Sequence, residues 1–143
     1  GYQGRFPAGD RLNMTFALVK LPNEPIVIVT GDIPVEENLP ALHAMFGQVD
    51  RLASQTGGLL YCILDTRHLE NLSFSDILLW LDEQRTAPPG SARDSRLRMW
   101  VVGTHSLLPI AVKKLRQQYG VEMMLADTLD AALARIRAEL AGC

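Results

Sequence analysis

The sequence predicts an α/β domain: a five-stranded, mostly parallel sheet with four helices, in the order β-β-α-β-α-β-α-β-α. Three observations carry this. Apolar runs of four to eight residues, apolar on both faces, recur at 25–31, 59–65, 97–103 and 121–126. Segments with apolar residues every three or four positions separate them. Turn chemistry marks nearly every junction. Strands alternating with helices in this way fold as a parallel sheet covered by its crossovers.

The first element, 14–20 (MTFALVK), alternates in apolar character and is followed by Leu21-Pro22-Asn23-Glu24 and then PIVIVTG. Pro fixes φ and Asn tolerates left-handed geometry, so a β-hairpin is expected, its first strand antiparallel at the sheet edge. After Gly31-Asp32-Ile33-Pro34 the period lengthens. Leu39, Leu42, Phe46, Val49 and Leu52 form a helix stripe closing at Gly57-Gly58. LLYCILD (59–65) is the third strand. Ser73 and Asp76 are spaced as a capping box for a second helix. Its core stripe is predicted as Phe74, Ile77, Leu78 and Leu81. At 100° per residue Trp80 then lies roughly 110° and Leu79 roughly 150° from the core direction.

TAPPGSARDSR (86–96) is rich in breakers and is expected to be a mobile surface loop, with Arg93, Arg96 and Arg98 as a solvated edge. LRMWVVG is the fourth strand. Ser106 is placed to cap a third helix with Leu108, Val112, Leu115 and Tyr119 inward, Pro109 in its first turn and Gly120 at its end. After the fifth strand, VEMMLA, Asp127 is read as the cap of a last helix facing inward with Leu129, Leu133, Ile136 and Leu140. Residues 1–13 read as a flexible arm and 14–143 as one domain.

Composition narrows the function. A formal net charge of −2 offers no basic footprint for nucleic acid. No apolar run approaches the ~20 residues of a membrane span, so no membrane insertion is expected. The two cysteines, Cys62 in a strand and Cys143 at the end, suggest neither a metal knot nor a disulfide framework. Cys62 reads as a buried thiol in a reducing, cytoplasmic setting. No cofactor is implied: G-x-G-x-x-G after a strand, a Walker A lysine and G-x-S-x-G are all absent.

Ligands in open α/β sheets bind outside the carboxyl ends of the strands. Those ends carry Asp32, Asp65, Arg67, His68, Thr104, His105 and Ser106. Asp65 is either a general base or phosphoacceptor, or an Asx-turn residue. His68 and His105 belong to separate loops without a third ligand at a telling spacing, so no metal site is expected. His43 falls on a helix flank and should be solvated. A response-regulator receiver would need a lysine ending the fifth strand, which here reads Leu125-Ala126-Asp127.

The element order, with CILDTRHLENLSFSDILLWL (62–81) as its centre, resembles the STAS domain (sulphate transporter and anti-sigma factor antagonist). There a strand ending in aspartate leads through a short loop to a helix opening Asp-Ser-Ser/Thr-Gly. Aligning Asp65 with that aspartate puts Ser73-Phe74-Ser75-Asp76 over the motif, so the family's phosphorylated serine falls on Phe74. The resemblance implies a non-enzymatic regulatory module that binds a protein partner or its own copy, without the serine phosphoswitch. Its contacts would come from the loop after the third strand and the following helix, with Ser75, Leu79, Trp80 and Glu83 on the outward half. The competing reading is a small-molecule-binding protein or weak enzyme using the polar rim.

Overall fold

A computed structural model describes residues 16–32 and 36–142. The expected arm at 1–13, the start of the first predicted strand and Cys143 lie outside the described residues. The elements are β1 (Phe16–Lys20), β2 (Ile26–Gly31), α1 (Leu39–Gln55), β3 (Leu60–Asp65), α2 (Phe74–Glu83), β4 (Leu97–Val102), α3 (Leu108–Tyr119), β5 (Met123–Ala126) and α4 (Leu129–Leu140). A 3-10 turn, Glu36–Asn38, leads directly into α1.

The strands lie in sequence order, β1-β2-β3-β4-β5, with β1 antiparallel to β2 and every other pair parallel. The hairpin turns through Asn23 at φ 61°, the left-handed geometry that Asn tolerates. When each crossover steps the same way along the sheet with the same hand, all three crossover helices fall on one face. The core divides accordingly. Cys62, Met99 and Val101 pack with Leu42 and Val49 of α1, Ile77 and Leu81 of α2, and Leu115 of α3. The alternate strand residues Tyr61, Ile63, Trp100 and Val102 face the other way, against Ala132 and Ile136 of α4. Period-two alternation in the strands thus feeds two separate cores.

Three local expectations are corrected. The stretch at 86–96 is not a loose loop: Gly90, Ser91 and Ala92 are buried. The fully buried Gln84 holds it, its Oε1 accepting from Ala92 N at 2.8 Å while its Nε2 donates to Trp80 O at 3.0 Å. Asp94 accepts from Gly90 N (2.8 Å) and from Arg96, which also bridges to Asp50 of α1 at 2.6 Å. Arg93 donates to Arg85 O and stacks 4.5 Å over the Tyr119 ring. Arg93 and Arg96 brace the chain; of the three, only Arg98, near the start of the interior strand β4, is exposed.

Second, the caps differ. Thr128, not Asp127, caps α4, its hydroxyl accepting from Ala131 N at 3.1 Å. Ser106 makes no cap on α3: Leu107 is the N-cap residue, and His105 Nδ1 accepts from Leu107 N at 3.1 Å. Pro109 and the left-handed Gly120 sit as expected. Leu140, expected inside, is exposed.

Third, α2 is turned about its axis. The Ser73–Asp76 capping box forms as expected, but the core face is Ile77, Leu81 and Gln84, with Trp80 packed against them. Phe74 and Leu78, expected inside, are exposed. Leu79 and Trp80, expected outside, are half-buried.

Candidate functional site

The strand order brings Gly31, Asp65, Val102 and Ala126 to one edge of the sheet, and the polar rim forms there. Its members are occupied locally. Arg67 Nε and Nη2 donate to the two carboxylate oxygens of Asp65 at 2.9 and 2.8 Å, and Arg67 N adds a third bond at 3.2 Å. Burial raises the Asp65 carboxyl, but the bidentate guanidinium outweighs it and the net effect is a lowered pKa. A carboxylate so held is a weak base. The His68 imidazole donates Nε2–H to Gly31 O at 2.5 Å, which places its proton on that nitrogen. His105 is the helix-start acceptor already described.

The two histidines and Asp65 therefore do not converge on a reacting centre. Asp32, Thr104 and Ser106 are exposed. Among the described residues no group of three His, Cys, Asp or Glu side chains could hold a metal ion. His43 is not simply solvated: its Nε2 meets Glu83 Oε1 at 2.6 Å, tying α1 to α2 and occupying a carboxylate read as partner-facing. Cys62 is buried, and desolvation pushes its thiol up to about 12.

Two features were not legible in the residues. Beneath the rim lies an apolar cavity of about 110 Å³. Val29, Leu64 and Val101 form its floor, and Leu42, Met45, Ile77, Trp80 and Ala111 its walls. The polar residues that line it, among those described, are Asp32, Asp65, Thr66 and Asp76. The only sequence signal was the pair Leu69 and Leu72, two apolar residues in a loop that both turn out to line it.

The second feature is the surface of α2. Phe74 (46% exposed) and Leu78 (43%) are the most exposed large apolar side chains among the described residues, and Ile110 of α3 is 39% exposed. Lys114 Nζ sits 5.5 Å over the Phe74 ring, so α3 borders this patch. Ile110 lies one turn before Lys114 on the same side of α3. Ser75 is exposed beside them, its hydroxyl 3.0 Å from that of Ser73.

Comparison of the chain with protein-family models, curated proteins and solved structures finds no match.

Proposed function

We propose that this chain is a STAS-like, non-enzymatic regulatory module that engages a protein partner through the outer face of α2 and the loop before it. The exposed pair Phe74 and Leu78 carries the reading. A lone exposed leucine is ordinary on a soluble protein. An aromatic and a leucine one helical turn apart, continued by Ile110 on the next helix, form a patch of the kind partners bury. The contact residues therefore shift from Leu79 and Trp80 to Phe74 and Leu78, with Ser75 on the rim.

The competing use of the polar rim for catalysis loses support because Asp65, His68 and His105 are bonded within the chain. A cytoplasmic setting suits the unpaired, buried Cys62. No helix among the described residues is long and apolar enough to cross a membrane.

A photo-crosslinking residue at position 78 tests the reading in cells of the source organism. One protein should be captured at 78 and not from a control at the exposed Leu59, and Phe74→Ser with Leu78→Asp should abolish binding of that protein while leaving the melting temperature nearly unchanged. Light scattering distinguishes a second copy of the chain from a different partner. A monomer with no product at 78 overturns the proposal.

A further inference from the structure

The cavity under the rim is on the opposite side of α2 from the Phe74–Leu78 patch, and its chemistry points to a different occupant. We infer that it is a binding site for a compact apolar small molecule, the size of one aromatic or alicyclic ring, that is neutral or carries a cationic group directed to the mouth.

Three observations carry this. The volume, about 110 Å³, approaches that of an engineered apolar cavity of about 150 Å³ that takes up benzene, and here the space opens at a mouth through which a ring can enter. The floor and walls are apolar, so a bound water would lack the two to four polar partners it needs. A ring therefore gains contacts there that water does not.

The mouth selects charge. Among the described residues, the polar members of the lining are Asp32, Asp65, Thr66 and Asp76, all from the rim end of the cavity. Thr66 Oγ1 already donates to Val102 O at 2.9 Å, and Asp76 accepts from Ser73 N at 2.8 Å. Arg67, which neighbours the lining residue Asp65, is spent on both of its carboxylate oxygens. Among the described residues, a ligand carboxylate would meet three acidic side chains and no lysine or arginine of the lining, whereas an amine would find acceptors. Like charge at such a site is a strong discriminator.

The inference stands apart from the partner proposal, since it uses Ile77 and Trp80 on the inner side of the helix. The test is titration of the whole chain with benzene, benzylamine and benzoate, followed by amide chemical shifts. Benzene and benzylamine should give saturable shifts centred on Ile77, Trp80 and Ala111, with benzoate at least about tenfold weaker. Ala111→Met, which fills the cavity, should abolish the saturable shifts. If that variant does not fold, Val101→Leu serves in its place.

No saturable shift with any of the three compounds overturns the inference. So does binding that survives a folded, cavity-filling variant. Benzoate binding as tightly as benzylamine overturns the charge selection.

Discussion

Gly90→Ala is the sharpest probe of how the 86–96 segment is built. Gly90 sits at φ +86°, and a Cβ added there would lie 1.9 Å from Phe46 O, 2.8 Å from Phe46 C and 2.9 Å from Asp50 N. All three are backbone atoms of α1, which cannot rotate aside. A non-glycine residue in left-handed geometry costs about 1–2 kcal/mol. Relieving the contact means lifting the turn from α1, which breaks the Gly90 N to Asp94 bond and strains the Arg96–Asp50 bridge. Two such losses add about 2 kcal/mol. The expected destabilisation is about 3–4 kcal/mol, or a melting temperature about 10–15 °C lower for a chain of this length.

Gly58→Ala is the matched control, because its Cβ would meet open space. It should change stability by less than about 0.5 kcal/mol. Thermal melts followed by circular dichroism decide the matter. A Gly90→Ala protein melting within about 2 °C of the parent would mean that the turn is not seated on α1.

Two further outcomes follow from ionisable groups. Asp94 is held at about 2, chiefly by its hydrogen bonds from Arg96, well below the ordinary aspartate value of 3.8. Its folded pKa is depressed, so its stabilisation is complete above roughly pH 4 and is lost as pH falls through about 2. Asp94→Asn should melt lower at neutral pH yet lose less on acidification from pH 4 to 2; equal acid slopes for variant and parent would refute this. Cys62, at about 12, should resist a thiol reagent at pH 8 in a Cys143→Ser background and react once urea unfolds the chain, whereas rapid labelling of the folded protein would contradict its burial.

The element order could be read because the parallel strands here face a core on both sides and carry continuous apolar runs, as in 60–64 and 99–102. The capping box could be read because Ser73 and Asp76 satisfy each other locally. The phase of α2 could not. Stripes through 74, 77, 78 and 81 and through 77, 80, 81 and 84 both fit a helical period. The second prevails because Gln84 is buried, and burying an amide requires partners. Those partners, Ala92 N and Trp80 O, include a backbone group from a segment whose Pro-Pro-Gly composition suggested mobility. The misplaced loop and the misphased helix are thus one error: a core made partly of backbone hydrogen bonds leaves no apolar signature. The cavity was hidden for a related reason, since it is the space left between the sheet and three helices and belongs to no single segment.

The same packing explains why the residues that looked most chemical are structural. The β3–α2 connection runs from Asp65 to Ser73 across the open end of the sheet, where no neighbouring strand can hold it. Its polar side chains supply the missing bonds: Arg67 to Asp65, His68 to Gly31 O, Thr66 to Val102 O, and Ser73 with Asp76 at the helix start. These ties fix the path of the loop, and the path decides where its apolar residues go. Leu69 and Leu72 turn inward to line the cavity, while Phe74, one residue past the N-cap, is left outside. Loosening a tie, as in Arg67→Ala, should therefore disturb both surfaces together, although Arg67 itself does not line the cavity. A rim that reads as an active site from composition thus acts as the frame that separates the inner apolar cavity from the outer apolar patch.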